Sequence, residues 1–336
     1  MYPVGLSPSN MTGMKLVRAE GAVLQQILDR THPIWADGLS PHAYSRFNDA
    51  QMRTPWGKDR LRRYALVNDG GKVLTSAKRY DLRVRLDGRE IEAVGLGAVF
   101  TPEEERGNGY APIIIERLID AARQDGAELA MLFSEIGTSY YRRLGFLTVP
   151  QRELTLSVAE KRGAGAPMVL VRTGEERDIP AVTALASQMT AAYRFAAVPS
   201  EAFVRYSLSK KRLLAGFSRP GALTVDFFIV EEGAGAVAFV ILTAAGDDDV
   251  VLEMCGDRDP QGARVGAMLQ VLRARTPAEP APIISGFLPP GWLPPQVTVE
   301  RDLASASAMM VKPLRDGVLQ QPLSQDDVMY WQGDLF

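Results

Sequence analysis

The run Arg106-Gly107-Asn108-Gly109-Tyr110-Ala111 has the makings of a turn that can hold an anion. Glycines at 107 and 109 let the backbone turn tightly with its N–H groups directed outward, and Pro102 ends the apolar run Ile91–Phe100 just before them. A helix follows. Its apolar side carries Ile113, Ile114, Ile115, Leu118 and Ile119, and Gly126 stops it. The first N–H groups of a helix have no partner within it, so this junction can bind phosphate or carboxylate. An ordinary turn before a helix has the same spacing, and a second signal is needed to separate the two.

That signal comes after a further strand, Glu128–Phe133, as Ser139-Tyr140-Tyr141-Arg142-Arg143-Leu144-Gly145-Phe146. Together the two runs resemble the GCN5-related N-acetyltransferase superfamily. Its Arg/Gln-x-x-Gly-x-Gly/Ala turn is matched by Arg106, Gly109 and Ala111, and its Tyr-x-x-x-Gly-Phe segment by Tyr141, Gly145 and Phe146. The resemblance implies that acetyl-CoA is the cofactor, with its pyrophosphate on the backbone of Arg106, Gly107, Asn108, Gly109, Tyr110 and Ala111. It also implies that Ala98, Val99 and Phe100, with Ser134 on the next strand, lie along the pantetheine arm. Tyr141 is then the candidate acid for the departing thiolate, since a phenol with a reference pKa near ~10 lies just above a thiol. An ordinary packing tyrosine beside Tyr140 is the structural alternative. Glu92 and Glu135 are candidate bases at strand ends.

The elements that must position these residues follow from periodicity. Lys15–Arg18 reads as a strand and 21–30 as a helix with Val23, Leu24, Ile27 and Leu28 on one face. Tyr64–Asn68, Val73–Leu86 and Glu90–Phe100 read as an antiparallel meander with turns at Asp69-Gly70-Gly71 and Asp87-Gly88. The crossover from strand 91–100 through helix 110–124 to strand 128–133 makes a right-handed β-α-β unit, and the cleft between its two strands can take a narrow cofactor arm. Between 31 and 60 the aromatics His32, Trp35, His42, Tyr44, Phe47 and Trp56 stand among Pro, Gly, Asp and Asn, with at most a short helix after Pro41. They form either a satellite core or the wall of an acceptor pocket, for which Trp35, Tyr44 and Phe47 are the candidate substrate-binding residues.

The 336 residues suffice for two cores, and the expected class is α/β (α+β): two tandem domains of this type, each a mixed, mostly antiparallel sheet flanked by helices. Residues 1–13 form a flexible leader, 14–159 the catalytic domain and 160–167 a linker. A degenerate second domain spans 168–313, and 314–336 is a tail docking back on the body. A hairpin of 147–149 with 153–158 closes the first domain. Met168-Val169-Leu170-Val171-Arg172 repeats Met14-Lys15-Leu16-Val17-Arg18, and 227–254 resembles a second meander leading to a helix at 262–273. The turn before that helix lacks the first turn's spacing and carries Asp257 and Asp259, so no coenzyme is expected there. The prolines between 277 and 295 replace a regular strand and helix. This tandem resembles the enhanced-intracellular-survival acetyltransferases without their sterol-carrier-like domain. In that family the terminal carboxylate of a phenylalanine is the base, so the resemblance makes Phe336 a candidate base; the alternative is an apolar plug covering the second domain or a dimer contact. Trp331, Leu335 and Phe336 would each leave about 1.5–3 kcal/mol unclaimed if exposed, so the tail should pack.

Lysine plus arginine (38) nearly balances aspartate plus glutamate (40), and no basic field suggests nucleic acid. One cysteine and two histidines give no metal-ligand spacing, no membrane span is expected, and the cytoplasm is the default location. The expected partner is a small-molecule or lysine amine acceptor, and the resemblance leaves a homo-oligomer open. The competing reading is a catalytically silent acyl-CoA sensor.

Overall fold

The computed structural model describes residues 13–159, 170–233, 235–246, 249–275 and 283–331. The first half opens with strand β1 (Lys15–Arg18) and helices α1 (Gly21–Trp35), α2 (Pro41–Arg53) and α3 (Pro55–Arg60). The stretch expected to be mostly loop is therefore largely helical. Two local signals account for it: Ser40 and Thr54 each cap a helix, accepting the N–H of Ala43 at 3.2 Å and of Gly57 at 3.0 Å, and a proline follows each at the first helical position.

Strands β2 (Leu61–Val67), β3 (Val73–Leu86) and β4 (Arg89–Phe100) form the meander, and helix α4 (Tyr110–Gln124) crosses to β5 (Leu129–Ser134). β5 lies parallel to β4, with Ala93, Val94 and Gly95 opposite Leu129, Ala130 and Met131. Beyond Gly95 and Met131 the strands part. α4 covers one face of this sheet, where Val94, Leu96, Ile114, Ile115, Leu118 and Leu132 close a core. On the other face Leu82, Val84, Ala93 and Met131 form a separate core.

The short helix α5 (Ser139–Arg142) leads to β6 (Leu147–Val149), and here the expected hairpin does not form. β7 (Arg152–Val158) leaves for the second sheet, and β15 (Ala308–Pro313), from the far end of the chain, takes the place between β5 and β6. The two halves thus exchange strands, and the boundaries expected at 159 and 313 do not separate the two sheets.

The second half contributes β8 (Val171–Thr173), α6 (Ile179–Thr190), β9 (Phe195–Ala197), α7 (Glu201–Phe217), β10 (Thr224–Glu232), β11 (Gly235–Ala245) and β12 (Asp249–Asp257). Helix α8 (Ala263–Arg275) then crosses to β13 (Ile283–Gly286), which pairs parallel to β12 and repeats the crossover of the first half. A short strand therefore forms among the prolines, contrary to expectation. The second sheet runs β14 (Val297–Ala304), β7, β13, β12, β11, β10, β8. Strand β9 joins the first sheet instead, on the edge of β3, and β16 (Val328–Met329) pairs with β9. Trp331, next along, is 1% exposed; Phe336 lies outside the described residues. Among the described residues no helix is long and apolar enough to cross a membrane.

Candidate functional site

The site grows from an irregularity in β4. Gly97 stands opposite Lys78 and Phe100 opposite Ser76, so Ala98 and Val99 together face the single residue Ala77. Ala98 adopts a left-handed φ of 47°, which a residue with a Cβ takes only when its surroundings hold it there. This bulge leaves backbone groups of Ala98 and Val99 outside the β3 ladder, on the strand that is parting from β5. An extended amide-bearing ligand can use them.

The cleft leads to the start of α4. Gly109 occupies the N-cap position with φ 74°, and no side chain caps the helix. The first-turn amides therefore remain available to an anion. Arg106 Nε donates to Thr101 O at 3.3 Å and Asn108 Nδ2 to Glu105 O at 3.2 Å, which fixes the loop from within. Three glutamates, 103 to 105, precede it, yet two are neutralised: Glu104 pairs with Arg30 and Glu105 with Lys72, both at 2.5 Å. Those pairs also tie the loop to α1 and to the β2–β3 turn.

At the far side of the cleft, Ser134 ends β5 and spends its hydroxyl on Gly137 O at 2.7 Å, closing the turn into α5. Tyr141 follows on α5. It is 7% exposed and packs edge-on against Tyr140 and Phe146 at ring distances of 5.0 and 6.0 Å. Burial first, and the neighbouring Tyr140 second, push its phenol up to about 12. Tyr141 is therefore protonated at any neutral pH.

The other expected site residues are scattered. Glu135 is exposed immediately after β5. Glu92 pairs with Arg60 at 3.2 Å and Arg83 at 3.7 Å, and its carbonyl accepts the N–H of Glu128. That contact lies at the beginning of β5, roughly 20 Å along the strand from Ser134, so Glu92 is set apart from the cleft mouth. Tyr44 and Phe47 are 4% and 8% exposed and pack with Leu28, Leu39 and Leu214, which makes them the satellite core and removes them from the pocket wall. Trp35 remains beside the cleft, edge-on to Phe100 at 6.1 Å.

Sequence reasoning missed the space on the opposite face. A cavity of about 370 Å³ lies between α3, β3, β5 and α7, lined by Trp56, Met131, Phe133, Phe203 and Tyr330. Met131, in the wall of this cavity, sits at the last paired position before the strands part. Tyr330 packs on Phe133 at 5.3 Å, which brings the described end of the tail to this cavity.

At the matching helix start in the second half the amides are already taken. Asp257, whose side chain is fully buried, accepts the N–H of Arg264 at 2.8 Å and of Val265 at 3.0 Å at the start of α8. Its other oxygen accepts the N–H of Asp259 at 2.9 Å. The helix is thus closed by its own carboxylate. Trp292 covers the same turn so closely that a Cβ on Gly262 would come within 2.5 Å of its ring.

Residues 38–149 match the model of the acetyltransferase (GNAT) domain. No curated protein matches the chain. Among solved structures, a GCN5-related N-acetyltransferase from Kribbella flavida shares 19% identity at a TM-score of 0.66, covering 93% of this chain and 74% of that one. A probable N-acyltransferase from Enterococcus faecalis V583 shares 13% at 0.63, covering 91% and 74%. Saccharomyces cerevisiae N-myristoyltransferase with bound myristoyl-CoA shares 9% at 0.55, covering 93% and 86%. At these identities the likeness is one of fold, and it extends over both halves.

Proposed function

From a chain whose residues 38–149 carry a GNAT acetyltransferase domain, we propose an acetyl-CoA-dependent N-acetyltransferase that acts on a primary amine by direct attack in a ternary complex. The observation that carries this reading is the Ala98 bulge on a parting strand pair, followed by the uncapped helix start at Gly109. The amides from Arg106 to Ala111 hold the donor's pyrophosphate. Backbone groups of Ala98 and Val99 hold the pantetheine amides and polarise the thioester carbonyl. The acceptor enters from the cavity opposite α4.

The amine lone pair attacks the carbonyl carbon, the carbon–sulfur bond breaks, and the thiolate takes a proton from Tyr141. A phenol at about 12 is a weaker acid than the ordinary thiol near ~8.5, but the burial that raises Tyr141 raises the thiolate's basicity in the same cleft. Tyr141 therefore acts as a hydrogen-bond donor that yields its proton as charge develops on sulfur. The amine's own proton goes to a carboxylate, for which Phe336 and Glu135 are the candidates.

Release of free thiol from acetyl-CoA over a panel of primary amines tests the reading. Turnover by the native protein should fall about 10²- to 10⁴-fold in Tyr141→Phe, with acetyl-CoA affinity nearly unchanged. Tight acetyl-CoA binding without thiol release on any amine would overturn the enzyme in favour of a sensor.

A further inference from the structure

A line of residues crosses the first sheet at the bulge: Arg63 on β2 stands opposite Lys78 on β3, and Lys78 stands opposite Gly97, the residue before Ala98. Cross-strand partners share a face, and here two cations are side by side, an arrangement that costs stability unless something offsets it. Lys78 belongs to the same parity as Tyr80, Leu82 and Val84, so it projects to the acceptor face, away from α4. Arg63 is 4% exposed, with Nη2 donating to Asn48 Oδ1 at 3.1 Å. α7 carries Tyr206, which lies in the same core as Tyr80, and, one turn on, Lys210, whose charge acts on Lys78.

Among the described residues the charges acting on Lys78 are those of Arg63 and Lys210, both cations. Asp37 and Glu253 act on Lys210. Burial, and then those two charges, hold the Lys78 ammonium well below the ordinary lysine range. Tyr206 is 4% exposed, and its hydroxyl is buried without a hydrogen-bond partner among the described residues. A buried hydroxyl without a partner among the described residues and a lysine acted on by two cations both favour an anion.

We propose that Lys78, Arg63 and Tyr206 bind a carboxylate of the acceptor, so that the preferred substrate is an amine that also carries a carboxylate, such as a free amino acid, in place of a simple diamine or polycation. The proposal rests on the acetyltransferase reading. The register supplies the geometry: an acid group at Lys78 sits one strand away from Gly97 and Ala98, so an amine a few bonds distant reaches the carbonyl held at the bulge. The carboxylate in turn offsets the positive charge around Lys78 and satisfies the Tyr206 hydroxyl.

Matched pairs test it. With the native protein, KM for lysine and ornithine should lie about 10- to 100-fold below KM for cadaverine and putrescine, which lack only the carboxylate, as expected for a charge-assisted contact. Lys78→Met should bring the ratio close to one and Lys78→Arg should preserve it. Equal KM values in the native protein, or a ratio that survives Lys78→Met, would overturn the proposal. A second measurement needs no turnover: Nε-acetyl-lysine should raise the native melting temperature and N-acetylcadaverine should not. Equal responses overturn the carboxylate site alone. Absence of thiol release with every amine overturns the acetyltransferase reading, and the melting experiment still decides the site.

Discussion

Replacing Gly109 by valine separates backbone geometry from overall stability. Gly109 holds φ 74° at the start of α4, and a side chain in that region costs roughly 1–2 kcal/mol, more for a β-branched one. The chain can relieve this only by turning the peptide, which redirects the amides that would meet the donor's pyrophosphate. Losing two such charge-assisted bonds at about 1.5–3 kcal/mol each removes roughly 3–6 kcal/mol, or about 10²- to 10⁴-fold in affinity. Gly88 provides the control: its φ is 78°, a Cβ there meets nothing within 4 Å, and it lies in the β3–β4 turn away from the cleft. Both valine variants should lose similar melting temperature, while calorimetric titration with acetyl-CoA should show weak binding only for Gly109→Val. Native-like affinity in Gly109→Val, or equal weakening in Gly88→Val, would refute the cradle.

In the second half, Asp257→Ala should destabilise the protein by roughly 2–4 kcal/mol in chemical denaturation, because two helix amides and Arg264 lose a buried carboxylate. Acetyl-CoA stoichiometry should stay at one per chain, since Trp292 still covers the turn. Lys210 falls to about 8 from 10.5, chiefly by burial, so the unfolded chain binds its proton more tightly than the folded one. Stability should therefore rise with pH between about 8 and 10.5, by roughly 3 kcal/mol for this group, and denaturation across that window checks the sign. A single alanine added after Phe336 should cut turnover severely while sparing acetyl-CoA affinity, if the terminal carboxylate takes the amine proton; full activity would leave that task to Glu135.

The β-α-β unit and its turn were legible because glycine at fixed offsets, a period-2 run and a period-3.6 run all point to one local geometry. The helices at 41–53 and 55–60 were missed although their signals are present: Ser40-Pro41 and Thr54-Pro55 are a cap followed by proline, but the aromatic and polar residues mixed after them obscured the periodicity. Lys78 was also within reach. It falls in step with Tyr80, Leu82 and Val84 along β3, a charge on an apolar face, which alternation alone exposes. The strand exchange was not readable. β7 and β15 are ordinary short strands, and nothing in either says which sheet it joins, because that choice depends on pairing across about 150 residues.

The exchange also decides what can be cut. β15 pairs with β5 from Ala308 opposite Ser134 to Pro313 opposite Leu129, and it places Met309, Met310 and Val311 in the cores at 0%, 0% and 1% exposure. At about 1.5–3 kcal/mol each, these three side chains contribute roughly 5–9 kcal/mol, comparable to the whole stability of a typical domain. Lys312 adds a direct link to the segment that follows Tyr141, donating to Leu144 O at 2.8 Å and lying over the Phe146 ring at 5.9 Å. A fragment ending at 159 therefore lacks the strand that supports β5 and the contact that seats the turn after Tyr141. It should give no cooperative unfolding transition by circular dichroism and should be degraded quickly by protease. Co-expression with residues 160–336 should restore a folded complex that binds acetyl-CoA, since β7 and β15 can then cross between the pieces. A stable, cooperatively melting fragment 13–159 would show that the first sheet closes without β15, and the coupling between the second half and Tyr141 would then be lost.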